Sequence, residues 1–137
     1  MTSTATDARS PQHPLQQRWP EALASRYRAA GHWRGETFPA FLRERVARCA
    51  DDVAVVAGDT RYTYAELGHE AERIGAGLLA QGLVPGDRVI VQLGNEAAFI
   101  PVVCGLFYAG LIPVYALPAH RLTEIRHFAT RAEARAY

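Results

Sequence analysis

Two side chains in this sequence stand where chemistry could be done. His120 and Arg121 follow Leu117-Pro118-Ala119, just after an apolar run that reads as a β-strand. The carboxyl ends of strands in open α/β sheets are where such sheets place ligands, which makes His120 and Arg121 ligand-proximal candidates. The competing reading is that Arg121 only begins the last helix. Other constellations are weaker. The five histidines are His13, His32, His69, His120 and His127. No two sit three or four apart on a helix, so no metal site is expected. Asp51-Asp52 reads as a helix-to-strand turn. The eleven glycines form no Gly-x-Gly-x-x-Gly fingerprint. Cys49 and Cys104 lie too far apart for a paired metal motif and read as buried, inert thiols. Arg43, Arg45 and Arg48 read as a solvated helix face, with a partner-facing surface as the alternative.

Composition removes further chemistry. The chain has 137 residues and 15 basic side chains, every one an arginine. Without lysine there is no Schiff-base nucleophile and no P-loop lysine. Ser3, Ser10 and Ser25 are the only serines, and none sits in a Gly-x-Ser-x-Gly elbow. Fourteen acidic residues leave a net charge of +1, which argues against a general nucleic-acid binder. A hydrophobic share of 49% argues for a globular chain.

The elements that must position these residues follow from pattern and caps. A first helix is predicted over 19–30 with Gly31 ending it, and Trp33 in the following linker is a packing anchor. Thr37 caps a second helix reaching Cys49, with Pro39 in its first turn. Phe38, Leu42, Val46 and Cys49 give that helix one apolar stripe. Residues 53–57 and 61–63 form a small hairpin about Gly58-Asp59. Thr63-Tyr64-Ala65-Glu66 is a capping box, opening a helix that carries Leu67, Ala71, Ile74 and Leu78 and stops at Gly82. Val84-Pro85-Gly86-Asp87 is a turn and 88–92 a strand. Asn95 is the expected cap of a buried helix over 96–109, which Pro101 should kink. Gly110 stops it, and 112–116 is the next strand. Strand, helix and strand make a βαβ unit with a right-handed parallel crossover. A last helix spans 122–132, and 135–137 looks like the start of a third strand.

The fold class is therefore α/β, with helices, a small hairpin and an incomplete parallel sheet. Residues 1–17 are rich in Ser, Thr, Pro and Gln and are expected to be a disordered leader without a secretory signal. Residues 97–119 carry no charge, but Pro101, Pro113 and Pro118 argue for a core helix plus strand over a membrane span. A cytoplasmic location is expected.

Several motifs, taken in order, resemble one family. Tyr62-Thr63-Tyr64-Ala65-Glu66-Leu67 is similar to the first core motif of the adenylate-forming superfamily, which includes acyl-CoA synthetases and nonribosomal adenylation domains. Val84 to Val89, with Gly86 and Asp87, resembles its turn into a strand. Phe107 to Val114, with Gly110 and Pro113, resembles its second core motif. Arg18-Trp19-Pro20-Glu21, Tyr27 to Trp33, Val91 to Asn95, and Ala116 to Arg121 with Glu124-Ile125 together resemble one branch. That branch is the aryl-acid adenylating ligases of siderophore assembly, of the 2,3-dihydroxybenzoate-AMP and salicylate-AMP ligase type.

The resemblance implies an enzyme that uses ATP and Mg²⁺ to convert the aryl acid to an aryl-adenylate. The aryl group then passes to the phosphopantetheine thiol of an aryl carrier protein; neither nucleic acid nor membrane is expected as a partner. It further implies that residues 18–137 are the start of a large N-terminal adenylation domain. The family's phosphate loop, aryl pocket and catalytic lysine would lie beyond residue 137. The resemblance therefore assigns no catalytic, cofactor-binding or metal residue here. Thr63, Tyr64, Glu66, Leu67, Gly86, Asp87, Gly110 and Pro113 carry structural roles, and the chain alone is expected to be inactive, to fold marginally and to bind no cofactor productively. Two alternatives remain: a portion of another adenylate-forming enzyme, or a non-catalytic interaction module.

Overall fold

The computed structural model describes residues 19–137. The leader expected over 1–17 lies outside the described residues. In chain order the elements are α1 (Glu21–Ala29), α2 (Phe38–Cys49), β1 (Val53–Ala57), β2 (Thr60–Thr63), α3 (Tyr64–Ala80), β3 (Arg88–Val91), α4 (Phe99–Tyr108), β4 (Ile112–Tyr115) and α5 (Leu122–Ala132). The described residues divide into two units, 19–36 and 37–137.

In the first unit Pro20 precedes α1, and Glu21 in its first turn takes an ion pair from Arg28 at 2.9 Å. Both side chains are exposed, so the pair adds little stability. Trp33 packs edge-on against Trp19 with ring centres 6.2 Å apart, and tilted against Tyr27 at 5.4 Å. That gives the short linker after Gly31 its apolar anchor.

The second unit begins with a cap. The Thr37 hydroxyl accepts from the Ala40 N–H at 3.3 Å, and Pro39 occupies the first turn, where its missing N–H loses no helical bond. Leu42 buries, while Val46 and Cys49 are half-buried. Phe38, expected on that buried stripe, is 67% exposed and lies flat on the Phe107 ring at 4.5 Å. At the first position of a helix a side chain can reach past the stripe, so period alone overstates its burial. β1 and β2 pair antiparallel, with a register irregularity between Val53 and Val55.

Thr63 ends β2 and opens α3. Its hydroxyl accepts from the Glu66 N–H at 3.2 Å, and the Glu66 carboxylate accepts from the Thr63 N–H at 2.8 Å. Two donors that a helix start would leave unpaired are thereby satisfied. Replacing Thr63 with Ala removes one of these bonds and loosens the other, and should lower unfolding free energy by about 1 kcal/mol. Chemical denaturation reads this directly; Thr63→Ser should retain most of the stability, and an unchanged Ala variant would contradict the assignment.

β3 and β4 pair in parallel, Arg88 opposite Ile112 through Val91 opposite Tyr115. Ala136 bridges to Val89 on the other edge of β3, where the Arg135 N–H donates to Arg88 O and the Ile90 N–H donates to Ala136 O. β3 is thus hydrogen-bonded on both edges, consistent with its buried run Val89-Ile90-Val91. The Ile112 and Ala116 N–H groups face β3. By alternation Pro113 has its missing N–H on the free edge of β4, the position a sheet permits for proline.

α4 departs from expectation. It begins at Phe99, its N-cap is Ala98 with no side-chain cap bond, and Asn95 lies in a bend before it. The Phe99 N–H instead donates to Glu96 O in a turn. The later start places Pro101 in the first turn, where the lost N–H matters little, so the kink expected there has no cause.

Two small cores result. Val89, Val91, Leu106, Ala109 and Leu111 form one beneath the sheet; Leu42, Leu67 and Ala71 form the other between α2, α3 and the hairpin. The uncharged run 97–119 resolves into a helix and a strand. Among the described residues no helix is long and apolar enough to cross a membrane.

Candidate functional site

The carboxyl ends of β3 and β4 carry the sequence candidates. Beyond β4 the chain turns through Leu117, Pro118 and Ala119 to His120. The Leu117 N–H donates to His120 Nδ1 at 3.0 Å. An imidazole nitrogen that accepts carries no proton, so the neutral ring holds its proton on Nε2. The ring packs edge-on to Phe128 of α5, with centres 5.1 Å apart.

The same turn is bound from below by Gln92, the residue after β3. Its Nε2 donates to Leu117 O at 2.8 Å, to His120 O at 2.9 Å and more distantly to Pro118 O at 3.3 Å. Its Oε1 accepts from the Tyr137 hydroxyl at 2.7 Å. Sequence reasoning missed this role. The available signal was a polar amide directly after a buried β-run, at the strand end where ligand loops gather.

Arg121 is the N-cap of α5 and is exposed. Its backbone N–H donates to Glu124 Oε2 at 2.9 Å. Only this half of a capping box can form, since a guanidinium has no acceptor to offer the helix. The Arg121 and Glu124 backbone N–H groups hold the Glu124 carboxyl below the usual carboxylate range. Both readings of Arg121 therefore describe one residue: it starts the helix and leaves its charge free in solvent beside His120.

A second arginine ties this end of the chain together. Arg88 Nε donates to Ala132 O at 2.6 Å, and its other nitrogens donate to Gly86 O, Glu133 O and Glu133 Oε2. Its donors meet the last carbonyls of α5, which have no partner within the helix. Just before β3 the Asp87 carboxylate accepts from the Val84 N–H at 2.9 Å, closing the turn that contains Gly86. The Gly86 N–H donates to Gly110 O at 2.8 Å. Gly110 has φ +71, a conformation open to glycine, and a Cβ there would approach Pro85 to 3.0 Å. Gly86, Asp87 and Gly110 thus form one staple joining the β3 turn to the start of β4. It lies at the amino ends of the strands, away from His120.

Thr63, Tyr64, Glu66 and Leu67 sit elsewhere again, at the start of α3. There an open apolar groove of about 510 Å³ is lined by Phe38, Phe41, Leu42, Val55, Cys104 and Phe107, among others. Cys104, expected to be buried, is half-buried because it faces this groove; burial still pushes its thiol up, which keeps it protonated and unreactive. Cys49 is also only half-buried. The three arginines of α2 divide: Arg43 lies over the Tyr108 ring at 4.8 Å, Arg45 over Phe41 at 5.1 Å, and Arg48 pairs with Glu44. Arg43 and Arg48 stay exposed, as a solvated face requires, and Arg45 is half-buried.

Comparison with known proteins gives a consistent result. Residues 42–137 match the family model described as AMP-binding enzyme. The chain is 46% identical over 119 residues to the 2,3-dihydroxybenzoate-AMP ligase of Bacillus subtilis, covering 87% of this chain and 22% of that protein. It is 43% identical over 116 residues to the salicyl-AMP ligase / salicyl-S-ArCP synthetase of Mycobacterium tuberculosis, covering 81% of this chain and 20% of that one. Among solved structures, the apo structure of MbtA from Mycobacterium smegmatis superposes with a TM-score of 0.80 at 46% identity, covering 85% of this chain and 22% of that chain. The chain thus spans about a fifth of the length of the relatives it matches.

Proposed function

The chain belongs to the AMP-binding enzyme family, and from that premise we propose that it is the opening part of an aryl-acid adenylating ligase. The whole enzyme would activate 2,3-dihydroxybenzoate or salicylate with ATP and pass the aryl group to a carrier-protein phosphopantetheine thiol in siderophore biosynthesis. The carrying observation is the 46% identity to a 2,3-dihydroxybenzoate-AMP ligase over 87% of this chain. That similarity supports the aryl branch over other adenylate-forming enzymes.

In this reading residues 18–137 are part of the N-terminal adenylation domain, residues 1–17 are a leader, and the enzyme works in the cytoplasm. The segment supplies scaffold: caps, the Gly86-Asp87-Gly110 staple and the first strands of a parallel sheet. His120 and Arg121 are the residues nearest to a ligand, at the carboxyl ends of those strands. ATP and Mg²⁺ belong to the whole enzyme. The 137 residues include no lysine, and among the described residues no three His, Cys, Asp or Glu side chains gather into a metal-holding group. On the family resemblance, the phosphate loop and catalytic lysine that would offset charge as the carboxylate attacks lie in the remaining length of the enzyme.

Aryl-acid-dependent exchange of pyrophosphate into ATP tests both parts of this proposal. The protein as its gene encodes it should catalyse exchange with 2,3-dihydroxybenzoate or salicylate, whereas a polypeptide of residues 1–137 alone should give only the no-enzyme rate. Exchange by that polypeptide would overturn the scaffold assignment. Exchange by the gene product with amino acids or fatty acids, and none with aryl acids, would overturn the branch.

A further inference from the structure

We propose that Gln92 is a positioning residue that couples Tyr137, beside the Ala136 bridge to β3, to the protonation pattern of His120. The argument begins with the amide. Three carbonyl oxygens, of Leu117, Pro118 and His120, lie within 3.3 Å of one end of the Gln92 side chain. Only the NH₂ end can face them, because the amide oxygen there would meet three acceptors. The amide oxygen then points the other way, where the Tyr137 hydroxyl donates to it at 2.7 Å. Tyr137 follows Ala136, the residue that bridges to Val89 of β3.

The coupling continues through the turn. Held at two carbonyls four residues' span apart, the chain folds back so that the Leu117 N–H reaches His120 Nδ1. That bond leaves the neutral ring with its proton on Nε2, and no described residue accepts from Nε2. The three carbonyls thus orient the Gln92 amide, the Tyr137 hydroxyl holds its oxygen in place, the amide fixes the turn, and the turn leaves a single imidazole donor at the carboxyl end of the sheet. Use of that donor toward a carboxylate or phosphate oxygen rests on the adenylate-forming reading. The tautomer lock does not, since it follows from hydrogen bonds within the chain.

The tautomer can be read without activity. The protein as its gene encodes it is labelled with ¹⁵N-histidine, and long-range ¹H–¹⁵N spectra are recorded at mildly alkaline pH, where imidazole is neutral. His120 is assigned as the resonance lost in His120→Gln. The wild type should show one pattern, Nε2 protonated and Nδ1 bare. Gln92→Leu removes the donors and should raise the Nδ1–H population about tenfold, the effect of losing one hydrogen bond's net preference. Tyr137→Phe deletes one exposed hydroxyl, leaves the fold in place, and should shift the population in the same direction by less. An unchanged His120 pattern in a folded Gln92→Leu variant would overturn the lock, and if that variant fails to fold, Gln92→Glu, which keeps shape and loses donors, replaces it. An unchanged pattern in Tyr137→Phe would overturn the link to Tyr137. Failure of aryl-acid exchange with the lock intact would strike the ligase reading alone.

Discussion

Gly105→Val should lower the unfolding free energy by about 3 kcal/mol or abolish folding. Gly105 lies on α4 where it crosses α3, and a Cβ there would sit 2.7 Å from Ile74 Cγ2, 2.8 Å from Ile74 Cβ and 3.1 Å from Ala71 O. Carbon atoms in contact prefer about 3.5–4.0 Å. The Ile74 Cβ and the Ala71 carbonyl belong to the helix itself, so no side-chain rotation relieves the overlap. The helices would have to separate. The contact is mutual: a Cβ on Gly75 of α3 would sit 2.8 Å from Gly105 O. Two glycines therefore let the backbones meet, and Ala71, with no exposed surface, packs alongside. Gly77 is the control. It lies on α3, and a Cβ added there would meet nothing within 4 Å. Gly77→Ala should gain about 0.5–1 kcal/mol from helix propensity. Urea titration of both variants separates close approach from propensity. Equal behaviour would show that the helix crossing tolerates expansion.

The second large effect is expected at Leu106, which is 1% exposed and is the core residue on which the sheet rests. It packs with Val89 and Val91 of β3 and with Ala109 and Leu111. Leu106→Ala removes three carbons from a site lined by strand and helix backbone, where collapse is restricted, so the loss should be about 2–5 kcal/mol. Leu106→Met keeps volume and should lose less than about 1.5 kcal/mol. β3 carries Arg88 at one end and leads into Gln92 at the other, so loosening it also frees the turn that holds His120. In the Ala variant, amide exchange should accelerate at Leu117 and Ile90 before it does in α3. Uniform acceleration across the chain would show instead that the two cores open together.

Thr37, Thr63 and Glu66 announce their helices in the sequence because each cap is closed within four residues, and a local bond leaves a local trace. The alternation and apolar runs of 53–57, 88–91 and 112–115 were legible for the same reason. Asn95 misled because a good cap residue is necessary for the motif and not sufficient. The chain continues through a turn to Glu96 O, and α4 starts at Phe99, which also removes the expected strain at Pro101. Phe38 and the two cysteines have the right period for burial, but Phe38 and Cys104 line an open groove and Cys49 is only half-buried. Period places a side chain on a face without saying whether another element covers that face.

The candidate site divides the same way. His120 and Arg121 were visible because a parallel strand directs attention to its carboxyl end. Gln92 and Arg88 were not, since their partners, Gly86 O apart, lie 25 to 45 positions away and include mainly backbone carbonyls, which every residue possesses. No residue type at a given spacing encodes a bond to a distant carbonyl.

By itself, then, the sequence determined the order of elements, their caps and turns, the α/β class and the family resemblance, because these rest on contacts within one turn of helix or one strand. The tertiary structure alone decided that Gly75 and Gly105 meet, that Arg88 holds the end of α5, and that Gln92 joins Tyr137 to the His120 turn. Those contacts arise only when segments far apart in the chain are brought within bonding distance, and it is there that side-chain donors find the carbonyls left unpaired at element ends.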